Sequence, residues 1–177
     1  GDPSLVMELR NAFERSAESG AIALLECIDG SSEGDVRAAC TLLRTFLLEM
    51  PQPVVPVEFF LPLLEAAAGG TRGAQLDEIL APMPHEHATL FEHLLAFLVN
   101  VSRPFAADRS AQQRLARVWA PCVLRAPARE MSKFKGKVVD AMAAAVLSLL
   151  ELRRGDAGRA SSDDGSDGGE LSPKAKA

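Results

Sequence analysis

Residues Asp35–Pro53 read DVRAACTLLRTFLLEMPQP, and the fold is decided there. Val36, Ala39, Cys40, Leu43, Leu47 and Met50 recur at three- and four-residue spacing, the stripe that one face of a helix turns toward a core. Gly34 and Asp35 supply a start, with Asp35 a candidate N-cap. Pro51 and Pro53 supply the stop, since proline has no amide proton and its ring clashes with the preceding helical turn. The other face carries Arg37, Thr41, Arg44 and Leu48. A leucine on that polar stripe is either an edge-of-core residue or a contact for a partner.

The rest of the chain agrees with a helical reading. Of 177 residues, 47% are hydrophobic, tryptophan occurs once and tyrosine not at all. With alanine and leucine abundant and β-branched runs scarce, an all-α domain with its own core is expected. Leu5, Val6, Leu9, Ala12 and Phe13 mark an early helix, and Ile22, Leu24, Leu25 and Ile28 an irregular connection packed back on the domain. A short helix with Phe59, Phe60, Leu63 and Leu64 follows the prolines, with Pro62 expected to kink or break it. Leu76, Ile79 and Leu80 mark another short helix. The apolar helix from His85 to Val101 is expected at the centre of a bundle. Ser110–Ala120 comes next, with Leu115, Val118 and Trp119 inward, and a last helix starts at Met131 or Ser132. The domain is placed at residues 1–154 and a disordered polar tail at 155–177, where Ser, Gly and Asp replace large apolar residues.

Cys27, Cys40 and Cys122 are odd in number and widely spaced, which fits reduced thiols and a cytoplasmic location better than disulfides. No leader-like segment or membrane-length apolar run is visible. The net charge of −5 is unevenly spread: residues 103–137 hold nine Lys and Arg against two acidic residues. This block, from Arg103 to Lys137, either binds an acidic protein surface or anionic membrane, or is an ordinary solvated face. Nucleic acid is not expected, because aromatics are few there and no binding motif is present.

Sites for self-contained chemistry are missing from the sequence. His85, His87 and His93 do not share one helix face, so no metal is expected. Gly69-Gly70 lacks the Lys and Ser/Thr of a phosphate loop, and no G-x-S-x-G elbow occurs. No cofactor is expected.

Three blocks carry a resemblance. Leu42-Leu43-Arg44-Thr45-Phe46-Leu47-Leu48-Glu49-Met50-Pro51-Gln52-Pro53 resembles the central helix and L-P-x-P of the Rho GTPase-activating (RhoGAP) domain. Pro84–Leu98 is similar to that family's L-P-x-x-n-x-x-x-L-x-x-L-x-x-f-L, and Leu115–Arg125 to its L-A-x-v-F-g-P-n-l-l-r. The resemblance implies an all-α, multi-helix bundle lacking the family's first helix and finger loop. Its site residues fall at Arg44, Leu48, Asp108, Arg109 and Cys122, with Arg44 expected to be displayed beside the Asp108 loop. Arg44 stands where the family usually has lysine, Leu48 where it has arginine, Asp108 where it has asparagine and Cys122 where it has another asparagine. The catalytic arginine of its G-x-[FY]-R-x-x-G loop would precede Gly1, and Arg10 and Arg15, within the following helix on its solvated side, are not expected to stand in for it.

The resemblance therefore implies a fragment that binds the GTP-bound switch regions of a Rho, Rac or Cdc42 type GTPase in signal transduction. Activation by the fragment is expected to be weak or absent. The alternative is a catalytically dead interaction module on the same scaffold. On this reading the chain is a GTPase-activating regulator rather than an enzyme with its own active site.

Overall fold

The computed structural model describes residues 2–15, 32–70, 74–128 and 137–160. Seven α-helices lie there: α1 Pro3–Arg15, α2 Glu33–Glu49, α3 Phe60–Ala68, α4 Ala74–Leu80, α5 His85–Ser102, α6 Arg109–Val123 and α7 Val138–Ala160. Two 3₁₀ turns, Val57–Phe59 and Arg103–Phe105, lead into α3 and leave α5. Val55 and Leu124 form an isolated parallel bridge, with Val55 N–H donating to Val123 O at 3.2 Å. The architecture is all-α, as expected. The connection at residues 16–31 and the proposed start of the last helix lie outside the described residues, as do residues 161–177 of the tail.

The core lies among α3 to α7. Phe60, Leu63, Leu76, Phe91, Leu95, Leu98, Ala120, Val146, Leu149 and Leu150 are all buried there. The central element is α7, which packs against α3, α5 and α6. The sequence pointed to α5 instead. That helix buries Phe91, Leu94, Leu95, Leu98 and Val99 but exposes Phe97 and Val101, so only one of its apolar faces is inside. The Phe97 ring meets the Trp119 ring edge-on, 5.7 Å between centroids, a favoured aromatic geometry.

Three local departures have physical reasons. Pro62 falls in the first turn of α3, where backbone N–H groups have no helical acceptor, so it neither kinks nor breaks the helix. Pro121 does not end α6, which continues to Val123, and Leu124 N–H still reaches Ala120 O at 2.8 Å. Carrying α6 through the proline places Cys122 on the helix. At the far end, α7 runs on to Ala160, beyond the point where its apolar pattern stops at Arg154.

The inward face of α2 also differs from its sequence stripe. Ala38 and Leu47 are buried, whereas Val36 and Leu43 are exposed. Leu47 joins the main core, but Ala38 and the buried Leu9 of α1 do not. The helix is therefore packed on two sides, against α1 and against the body of the domain. One stripe cannot describe a helix sandwiched in this way. Arg10 of α1 reaches Glu49 at 3.4 Å and ties the two helices at their rim.

Candidate functional site

The site residues named from the sequence separate into two groups at opposite ends of α6. The first group forms where α2 crosses the C-terminal end of α6. Arg44 is half-buried and its guanidinium faces the Cys122 thiol, acting on it as a donor and a positive charge. Its Nε is enclosed without a hydrogen-bond partner among the described residues. Burial pushes the Cys122 thiol above its ordinary pKa, and Arg44 pulls partly against that. Only 2% of Cys122 is exposed, and its thiol meets Arg44 from the interior side. Leu48, one turn beyond Arg44, is 43% exposed. Val118, one turn before Cys122 on the same side of α6, is 45% exposed. The sequence pattern places Val118 inward beside Trp119, whereas the helix turns Trp119 into the core and leaves Val118 at the surface.

The second group lies at the start of α6. Asp108 is its N-cap: the backbone is extended and Oδ1 accepts from Ala111 N–H at 3.0 Å. The carboxylate adds favourable charge at the helix N-terminus. An asparagine would accept the same bond, so the local structural role survives the change of residue. Oδ2 lies 4.0 Å from Arg114, which also donates to Ser110 Oγ at 2.7 Å. Arg109 is exposed and borders a surface hollow with Arg117, Asp140 and Glu151, on the side of α6 that faces α7. Asp108 and Cys122 are thus separated by most of the length of α6, roughly 20 Å at 1.5 Å per residue. The expectation that Arg44 stands beside the Asp108 loop is corrected: Arg44 stands at the opposite end of the helix.

A buried polar cluster, which the sequence reading missed, holds the start of α6. Arg154 of α7 donates to Gln112 Oε1 at 2.8 Å and to Ser102 Oγ at 2.7 Å. Ser102 donates to Val99 O, and Gln112 to Ala106 O. Ser102 and Gln112 are the buried polar residues of the described core, and each has its partners, as burial requires.

The basic block does not form one patch among the described residues. Arg125 is turned inward onto α2, and Arg117 is paired with Asp140 at 2.9 Å. Residues 129–136 lie outside the described part. No described helix is long and apolar enough to cross a membrane. His87 bridges Val54 O at 3.0 Å and Gln52 Oε1 at 3.1 Å, pinning the proline segment to α5.

Residues 1–128 match the model of the RhoGAP domain, and the chain belongs to that family. It is 26% identical to the Rho GTPase-activating protein gacY of Dictyostelium discoideum over 147 residues, 81% of this chain and 18% of that protein. It is 26% identical over 132 residues to Rho GTPase-activating protein 24 of Rattus norvegicus, covering 71% and 16%. It is 29% identical over 150 residues to Rho GTPase-activating protein SYDE1 of Homo sapiens, covering 77% and 19%. The chain thus spans less than a fifth of the length of these relatives. One expectation is overturned by these matches. The sequence reading classed the chain as a regulator and not an enzyme, yet the relatives are named as GTPase-activating proteins. Stimulating GTP hydrolysis is a catalytic activity, exercised on a partner's active site.

Proposed function

We propose that this chain is a Rho-type GTPase-activating module that engages the GTP-bound switch regions of a small GTPase. The family match over residues 1–128 carries the reading. In this reaction the GTPase holds the nucleotide and magnesium; the activator steadies the loops around the water and supplies an arginine to the charge on the transferring phosphoryl group. Arg44 and Leu48 on α2 and Val118 on α6 are the contacts proposed at one end of the face, and Asp108 and Arg109 those at the other. Cys122 contributes by holding Arg44.

The 177 residues contain no G-x-[FY]-R-x-x-G loop. The arginine of that loop is worth on the order of 10³ to 10⁵ in rate, so this chain by itself is expected to bind with little acceleration. GTP hydrolysis by Rho, Rac and Cdc42 type proteins, measured with micromolar chain, tests this. A rise of at most a few-fold is the expected result, and full-strength stimulation contradicts it. Leu48, where the family usually has arginine, favours a second reading: an interaction module that binds without activating even with the loop supplied in cis. Adding that loop ahead of residue 1 separates the two, since acceleration should return only under the first reading. A domain ending near Arg154, with the remainder as a solvated tail in a cytosolic protein, completes the proposal; limited proteolysis should cut beyond Arg154, and cleavage inside α7 before it would refute the boundary.

A further inference from the structure

We infer that Arg125 is a positioning residue for the α2 docking surface, acting through the backbone of the turn that carries Leu48. The inference rests on the Rho-type reading above.

The end of α2 has a defect written into its sequence. In helical register, Pro51 is the residue whose N–H would serve Leu47 O, and proline has none. Met50 N–H still reaches Phe46 O at 3.1 Å, but Met50 itself turns to an extended conformation. The helix carries no basic residue in its last turn to offset the exposed carbonyls. Arg125, more than seventy residues away in sequence, fills that gap. Its Nη1 donates to Met50 O at 2.8 Å, and its Nη2 to Leu48 O at 2.7 Å and Leu47 O at 3.3 Å. A planar fork and a fixed positive charge suit three converging carbonyls at a helix C-terminus.

The arginine is itself anchored. Leu124, the residue before it, is fully buried and paired with Val55 in the isolated bridge. The guanidinium therefore joins the end of α6 to the end of α2 at the place where Arg44 meets Cys122. If the last turn of α2 frays, Leu48 and the exposed side of Arg44 lose their common orientation. Arg125 touches no partner in this scheme; it sets where the contact residues stand.

The test uses the whole chain and a Rho-type GTPase loaded with a non-hydrolysable GTP analogue, with affinity measured by calorimetry. Arg125→Met should weaken binding by about tenfold, the scale of one charged hydrogen bond. Arg125→Lys should recover part of the loss, and if Arg125→Met does not fold, the lysine variant carries the comparison with wild type. Arg153→Met serves as the control, because Arg153 pairs with Asp77 and Glu92 far from α2; it should lower the melting temperature and leave affinity unchanged. Amide exchange at residues 46–50 should quicken in Arg125→Met while α7 stays protected. Wild-type affinity in a folded Arg125 variant overturns the inference alone, as does an equal affinity loss in Arg153→Met. Absence of binding by the wild-type chain to any Rho-type GTPase removes the functional reading and the inference with it, whereas unchanged exchange at residues 46–50 removes the inference whatever the binding result.

Discussion

At each end of α6 an arginine bonds a part of the chain distant from it in sequence, and the two do so for different reasons. At the start of the helix Arg154 reaches into a pocket of buried side chains, Gln112 and Ser102. At its end Arg125 reaches out to the backbone carbonyls of Leu48 and Met50, and to that of Leu47, which Pro51 leaves without a helical donor. The first arginine satisfies the interior, and its loss is a matter of stability. The second orders the edge of a surface, and its loss is a matter of where Arg44 and Leu48 point. One residue type thus serves the fold at one end and the proposed docking face at the other.

Arg154→Met should have the largest effect on stability. It leaves Gln112 Oε1 enclosed without its donor, a cost of about 2 kcal/mol, read as a fall in the midpoint of urea unfolding. Arg125→Met should cost about 1 kcal/mol, because the carbonyls it serves are close enough to solvent to recover some bonding. The reverse ranking would dissolve the contrast between the two ends. Asp108→Ala should cost about 1 kcal/mol through loss of the N-cap of α6, whereas Asp108→Asn should cost little; a large loss in the asparagine variant would mean the charge, not the cap, is what matters there.

A smaller effect concerns pH. The Cys122 thiol is held above its ordinary pKa, chiefly by burial. Its contribution to stability is complete below the unfolded thiol value, about 8.5, and is lost as pH rises from there through the higher folded value. Melting temperature should therefore fall more steeply above about pH 8.5 in the wild type than in Cys122→Ala, and parallel curves would count against the burial. Least of all should Leu48→Arg change stability, by within about 0.5 kcal/mol at an exposed position, while raising affinity for a Rho-type GTPase if that face is the docking site.

Much of this helical scaffold is legible in the sequence, because three- and four-residue spacing and proline stops are local signals. The limits appear where distance matters. α2 shows more than one apolar stripe, and nothing local says that α1 covers one side and the body of the domain the other. Pro121 reads as a stop by local rules, yet packing carries α6 one turn further and puts Cys122 against Arg44. The family pattern located Arg44 and Asp108 but not the distance between them, since a motif gives order along the chain and not position along a helix. Arg125 reads only as one more charge in a basic block. Its role depends on carbonyls more than seventy residues earlier, and hydrogen bonds of that kind leave no trace in periodicity.

The most direct test of the account is the affinity of this chain for a Rho-type GTPase in its GTP-analogue and GDP states, measured for wild type and Arg44→Ala. The account predicts tighter binding to the GTP-analogue state and a loss of about tenfold in Arg44→Ala, the scale of one charged contact. Equal affinity for the two nucleotide states, or an Arg44→Ala variant that binds as the wild type does, would contradict it.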